Sequence, residues 1–498
     1  MMTEARTGAT PDARSGAMTA PRVIVHWNPE DRRFWERSGR SVATRNLWLS
    51  IPALMLAFAV WMVWSVVVVN LPAAGFRYST NQLFWLAALP ALCGATLRIF
   101  YAFAVPLVGG RRFTALATAS LLLPALGIGF AVQDPATPYE LMVALALLCG
   151  LGGGNFASSM AHISFFYPKA RLGYALGMNA GLGHLGVSIA QLAVPLVIGA
   201  AIFGVLGGAP QATAHGPLWL QNAGFVWVPF IAASALAAWF GMNDLVDAKA
   251  GFAEQAVIFT RKHNWLMCWL YLGTFGSFIG FSAGFPLLIQ SQFPGINALQ
   301  YAWLGPLVGA LMRPVGGWLS DKLGGARVTY WNFIAMAAGV FAVLQFLPHP
   351  GAGDAGAAHA TSGDFTGFLV SFMALFAFAG IGNGSTFRMI PVIFLTERQR
   401  AAEGRGPAAQ EQAVKDANKE TAAVLGFSSA IGAYGGFFIP KSYGTSIAMT
   451  GGPVAALWGF FTFYLLCIGV TWWVYTRRGG LLHDVERKPP TAAAMPAE

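Results

Sequence analysis

The 498-residue sequence predicts an all-α polytopic membrane protein, built of twelve spans in two pseudo-symmetric six-helix halves. Three observations carry this expectation. Hydrophobic residues make up 56% and charged residues only 10%, whereas a water-facing surface needs roughly 25% charged residues. Twelve apolar segments reach the length a helix needs to cross a bilayer, about 20 residues. Sequence motifs then recur with an offset of six segments. The same composition excludes a soluble domain, a disordered chain, a coiled coil and a disulfide scaffold.

The segments fall at 47–70, 83–108, 113–133, 140–163, 173–204, 225–243, 265–290, 298–318, 328–347, 366–394, 422–447 and 454–475. Lipid offers the backbone no hydrogen bonds, so each segment is expected as a helix. The expected organisation is an N-terminal arm (1–46), a first half (47–243), a central loop (244–264), a second half (265–475) and a tail (476–498). The stretch WNPEDRRFWERSGR (27–40) reads as an amphipathic helix on the inner leaflet or as an arm drawn to anionic lipid. The charged 397–420 stretch reads as a solvated helix or hairpin, and 349–365 as a low-complexity outer loop. Cys93, Cys149, Cys268 and Cys467 lie in apolar segments without ligand spacing and read as packing residues.

The net charge of +10 is a topology signal. Of 31 Lys and Arg residues, 26 fall in the arm, the tail and the loops on that side, while the opposite loops hold one, Arg77. The positive-inside pattern makes that side cytoplasmic, with both termini there, in a cell (inner) membrane. A nucleic-acid partner is not expected. The remaining cations, Arg98, Arg313, Arg388 and Lys441, lie within spans.

Residues 98–114 align without a gap to 313–329. Arg98 falls on Arg313, Gly109-Gly110 on Gly324-Gly325, Arg112 on Arg327 and Thr114 on Thr329. GLGGGN (150–155) matches GIGNGS (380–385), and LGMNAGLGHLG (176–186) matches LGFSSAIGAYG (425–435). Each match joins a span to the sixth after it.

GWLSDKLGGAR (317–327) is similar to the G-x-x-x-D-R/K-x-G-x-x-R loop motif of the major facilitator superfamily, which implies the major facilitator fold. Its Asp321, beside Lys322 and Arg327, can cap a helix N-terminus or pair with a cation, steadying one conformation.

A charge at mid-membrane costs about 2.5–3.5 kcal/mol on insertion scales, so Arg98 and Arg313 are functional candidates. Their repeat-related positions place them facing each other across a central cavity in such a fold. The span interiors contain no Asp or Glu; Glu140 and Glu420 sit at edges. Two arginines without a carboxylate call for a mobile anion. The guanidinium fork suits a small planar oxyanion such as nitrate, nitrite or a carboxylate. Phe156, Tyr271, Phe275 and Asn179 add aromatic surface and neutral donors.

The glycine strings carry Gly177, Gly181, Gly183 and Gly186 in one half, with Gly426, Gly432 and Gly435 in the other. They read as close helix packing with sliding surfaces. They also resemble the two signature segments of the nitrate/nitrite porter family within the major facilitators. The resemblance extends from about Trp27 to Tyr475 and includes GGNFASSMAHISFFYPK (153–169), YLGTFGSFIGFSAGF (271–285) and GFFIPKSYG (436–444). It implies that Arg98 and Arg313 bind substrate, that Tyr271 contacts it, and that Phe156 and Phe275 sandwich it. Two positions depart from the pattern. His184 stands where the family has a substrate-contacting asparagine; it reads as an anion donor or as a satisfied donor between helices, with Asn179 a separate signature position. Arg388 stands where relatives carry glutamine, and reads as snorkelling to the interface. His162 reads as a packing residue.

The expected function is nitrate import in exchange for nitrite by alternating access, since a monovalent anion lowers a +2 site to +1. Proton-coupled symport through His184 or His162, and a non-transporting anion sensor, are the alternatives. No catalytic residues, cofactor or metal site are expected, and the porter is expected to be a monomer whose partners are nitrate, nitrite and the lipid bilayer.

Overall fold

A computed structural model describes residues 23–101, 104–214, 216–246, 257–348 and 363–486. Most of the expected loop at 349–365, and parts of the arm, central loop and tail, lie outside the described residues. Apolar runs become twelve long helices: α1 (Arg32–Asn70), α2 (Thr80–Tyr101), α3 (Gly110–Ala131), α4 (Tyr139–Phe166), α5 (Lys169–Ile198) and α6 (Asn222–Gly241), then α7 (Lys262–Gln292), α8 (Leu304–Leu323), α9 (Gly325–Phe346), α10 (Phe365–Ala401), α11 (Pro407–Thr450) and α12 (Val454–Thr476). Among the described residues, eleven of them are long and apolar enough to cross a membrane. The other, α8, has the length, but Arg313, Asp321 and Lys322 lower its mean hydropathy. An even number of crossings puts both described ends on one face, here the terminal face.

The helices pack as a repeat. The tight pairs α2–α4, α1–α5 and α3–α6 recur six helices later as α8–α10, α7–α11 and α9–α12. Glycine makes the closest of these possible. In α4, a Cβ on Gly150 would lie 2.5 Å from the Cys93 Cβ of α2, and one on Gly153 would lie 2.9 Å from the Gly94 Cα. In α10, Gly380 and Gly384 lie directly on the Gly309 and Arg313 carbonyls of α8.

The first span differs from expectation. It begins at Arg32, well before 47, because Asp31 caps it by accepting from the Arg33 N–H at 2.8 Å. Trp35 packs on Tyr167 (5.6 Å) and Trp27 on Phe166 (5.3 Å), so 27–40 is not a free arm but runs into the exposed start of α1, held on the bundle by its aromatics. Strand β1 (Val23–Ile24) pairs in parallel with Asp244–Leu245 and ties this entry to the end of the first half. The 397–420 stretch is the end of α10, a turn at Gly404 and Gly406 with positive φ, and the start of α11. There Glu420 is buried and accepts from Arg261 (2.9 Å) and from Arg398.

The loop motif acts through pairings the sequence did not foresee. Asp321 does not cap α9. It pairs with Arg388 of α10 at 2.5 Å, both half-exposed, so Arg388 has an ion-pair partner in place of the expected snorkelling role. Lys322 lies over the Trp318 ring at 4.1 Å, and Arg327 is exposed. The first turn of α9 is capped from the tail: Glu486 accepts from the Ala326 N–H at 2.8 Å. The first half uses the same device, with Asp244 accepting from the Arg111 N–H at 2.8 Å and from its Nε at 3.2 Å. Both caps follow a glycine at φ +92°, Gly109 and Gly324. In each half, the segment after the last helix closes the third.

Burial pushes the Glu486 carboxyl up from its ordinary value, opposed by the Ala326 and Arg327 N–H groups. The neutral form is therefore tolerated. Glu486→Gln should keep the cap, whereas Glu486→Ala should lower stability by about 1 kcal/mol. Thermal midpoints, together with protease access to residues 477–486, check this.

Candidate functional site

Arg98 is fully buried near the terminal-face end of α2. Its Nε and Nη2 donate to the Gly153 carbonyl of α4 at 3.0 and 2.8 Å, and its Nη1 donates to the Ser429 carbonyl of α11 at 3.0 Å. One guanidinium thus joins both halves. Its faces are covered by Phe156 (4.9 Å to the ring centroid), Trp61 (5.4 Å) and Phe275 (5.5 Å). The glycine string of α4 is what lets this happen. A Cβ on Gly153 would lie 2.7 Å from the Trp61 ring, so only glycine presents its carbonyl there. Trp61 is itself fixed by donating to the Pro90 carbonyl at 2.8 Å.

Arg313, its repeat mate, is half-buried and held differently. Its Nη1 lies 3.1 Å from His184 Nδ1 and its guanidinium 5.3 Å from the Phe387 ring centroid. Among the described residues no carboxylate pairs with either arginine; Glu420, Asp244 and Asp321 each hold other arginines. Hydrogen bonds to neutral carbonyls orient a guanidinium but leave its charge uncompensated.

His184 brings the arginines into one cluster. It lies tilted against Phe58 at 4.5 Å and meets Phe156 at 5.5 Å and Phe275 at 5.7 Å, the last two also covering Arg98. Its Nδ1 faces two groups with opposite demands, the Ala180 carbonyl at 2.6 Å and Arg313. A neutral ring satisfies the first only as an N–H and the second only as a bare nitrogen. Its Nε2 is buried without a partner. Tyr271 precedes and Phe275 lies within a π-helical turn, Leu272–Gly276, with rings stacked at 5.3 Å. Such turns reorient side chains without breaking the helix.

Asn179 lies elsewhere. Its Nδ2 donates to Ser159 Oγ at 2.8 Å, in a packing contact between α4 and α5. Five residues turn a helix by about 140°, so Asn179 and His184 cannot share a face. His162 is buried against Phe166 at 5.0 Å, as a packing residue. The sequence missed Phe58 and Trp61, in the uniformly apolar stretch of α1, and Phe387, which lies between GIGNGS and Arg388 in α10. It also missed the two backbone carbonyls, which have no side-chain signature.

The signature glycines divide by position. Gly183 abuts Leu54, Gly186 the Met55 carbonyl, Gly432 the Tyr271 ring and Gly435 the backbone of Gly276, as close packing requires. Gly177, Gly181 and Gly426 meet nothing within 4 Å, contrary to expectation. Gly177 lies two turns from His184 on the same face of α5, toward the terminal face. Gly317 lies one turn from Arg313 on α8 and is equally open. On that side the helices stand apart. At Arg98 and beyond it, α2 packs on α11, α1 on α7 and α5 on α8. The halves are thus joined at and beyond the cluster, and the glycines on the terminal side have open space beside them.

The model of the Major Facilitator Superfamily matches residues 53–408. The nitrate/nitrite transporter NarU of Salmonella typhimurium is 54% identical over 458 residues, covering 92% of this chain and 96% of that protein. NarU of Escherichia coli is 52% identical with the same coverage. The probable nitrate/nitrite antiporter NarK2 of Thermus thermophilus is 42% identical over 466 residues, covering 92% and 97%. The chain belongs to the nitrate/nitrite porter family of the Major Facilitator Superfamily. It is thus a multi-pass membrane transporter. This porter shares its fold with a bacterial homologue of the human lysosomal transporter Spinster (TM-score 0.58, 15% identity, 89% and 98% covered). The Escherichia coli fucose:proton symporter FucP is similar too (TM-score 0.52, 12% identity, 86% and 98% covered).

Gly153→Ala should force α4 off Trp61 and α2 and cost about 1–3 kcal/mol, as overpacking does. A thermal midpoint within error of wild type would show that the fit between α4 and α2 is loose.

Proposed function

We propose that this porter carries nitrate and nitrite across the cell (inner) membrane, taking up nitrate in exchange for nitrite, with both termini in the cytoplasm. The observation that carries the reading is the pair Arg98 and Arg313, drawn from opposite halves into one aromatic cluster without a carboxylate. The names of the relatives supply the anions; the guanidinium fork and the flat aromatic walls suit a small planar oxyanion.

The mechanism follows from charge. Two uncompensated guanidiniums in low dielectric oppose the approach of the halves, and a bound monovalent anion reduces +2 to +1 and draws them together. The half-exposed Arg313 meets the anion entering from the vestibule, giving up its contact with His184. Arg98, already fixed by carbonyls of both halves, serves as the buried end of the clamp. Gly177, Gly181, Gly317 and Gly426 then provide the flat surfaces on which the terminal side closes. Closure only when loaded makes the transporter an exchanger.

His184 favours a second reading. Its unpartnered Nε2 in the cluster could take a proton and couple transport to pH. His184→Asn separates the two: exchange survives the substitution, whereas proton coupling through this ring is abolished.

Nitrite-loaded proteoliposomes should take up nitrate, and empty ones should not; strong pH-driven uptake into empty vesicles would sink the exchange reading. Arg98→Lys or Arg313→Lys keeps the charge and loses the fork, so transport should fall at least about tenfold, as for a lost charge-assisted bond of about 1.5–3 kcal/mol. Wild-type rates in either variant would refute the clamp. Gly177→Ala should leave the thermal midpoint unchanged and slow transport, because the methyl obstructs only the state closed on the terminal side. Gly186→Ala, pressed onto the Met55 carbonyl, should lower the midpoint itself.

A further inference from the structure

One cation within the spans has no place in the scheme above. Lys441 lies in α11, half-buried, roughly 18 Å by helical rise beyond Ser429 toward the face opposite the termini. Its Nζ donates to Thr445 Oγ1 on its own helix at 2.8 Å and to Asn81 Oδ1 of α2 at 3.2 Å. It also sits 4.7 Å from the centroid of the Trp85 ring of α2. Among the described residues no carboxylate pairs with it, and its third N–H has no acceptor.

The fold does not require a cation here. The offset that aligns LGMNAGLGHLG with LGFSSAIGAYG places Leu192 at the equivalent position of α5, where it is exposed. A lysine stem packs as a leucine does, but its ammonium is costly to bury without an anion. Its position is telling. It stands in the α2–α11 contact, which closes the opposite face and which must part for the site to open there. On parting, Lys441 keeps Thr445 and loses Asn81 and Trp85, both on the other half. The freed ammonium then lines the new opening.

We infer that Lys441 is the entry station for the anion on the opposite face, holding it between the mouth and the Arg98–Arg313 clamp. In the closed state its bonds to Asn81 and its contact with Trp85 latch α2 to α11, so one residue alternates between latch and anion contact. The assignment rests on the anion-transport reading above. An ammonium is a strongly hydrated point charge, suited to transient attraction where a guanidinium fork is suited to clamping.

The test is sided. Right-side-out and inverted membrane vesicles carrying wild type, Lys441→Gln or Lys441→Arg are assayed for nitrate exchange at low and high salt. Lys441→Gln should raise KM for nitrate offered to the opposite face about tenfold at low ionic strength, the lower end of electrostatic focusing. The difference should shrink at high salt. KM at the terminal face should stay near the wild-type value, and Lys441→Arg, which keeps the charge, should restore the low KM at the opposite face. An equal rise in KM on both faces, or a lower maximal rate at unchanged KM, would make Lys441 a latch alone and overturn the assignment. Wild-type vesicles without nitrate flux would instead overturn the anion-transport reading.

Discussion

A permanent positive charge in an apolar interior is the constraint around which this protein is arranged. Arg98 cannot shed its proton or reach water from where it is buried. Its five N–H donors need acceptors, and its charge needs an anion. The protein supplies the first without the second: carbonyls of Gly153 and Ser429 orient the fork, and aromatic faces enclose it. Because those carbonyls belong to different halves, the same residue that lacks a counter-charge also joins the two moving bodies. In the proposed mechanism, substrate charge and conformational energy are thereby coupled in one side chain.

Much of the rest serves to bring backbones close enough for this. The glycines of α4 and α10 let each helix lie on its neighbour at contact distance. A side chain at Gly153 would displace Trp61 and take the carbonyl away from Arg98. At the terminal face, Asp244 and Glu486 close the same turn in each half, so the ends of α6 and α12 are tied to α3 and α9. Each half is held as a unit, and the halves meet mainly at the junctions α1–α7, α2–α11 and α5–α8.

Pseudo-symmetry sets where the arginines stand, and its breaking sets what they do. Arg98 is buried and committed to carbonyls; Arg313 is half-exposed and rests on an imidazole that has a competing acceptor in Ala180. Asp321 pairs with Arg388 only in the second half, whose first-half counterpart lacks both groups. Lys441 likewise has Leu192 as its mate. Departures from the repeat fall at the site, at the terminal side of α8 and at the opposite junction, the three places a rocking transporter must treat differently in its two states.

Hydropathy, charge and repetition are properties of single segments, and the sequence by itself settled what depends on them: twelve helices, two halves, two unpaired intramembrane arginines, and a family resemblance that the comparisons bore out. Motifs in individual helices also pointed to Tyr271, Phe156, Phe275 and His184, which lie together around the arginines. Only the tertiary structure decided which faces meet. It moved Asn179 to a packing contact a third of a turn or more away from His184, gave Arg388 an acid, gave the α9 cap to the tail, and extended α1 back to Arg32 through the Asp31 cap. It separated the glycines that pack from those with open space beside them. The physical reason is that backbone carbonyls have no side-chain signature, and a partner several helices away in the chain is fixed by packing geometry alone.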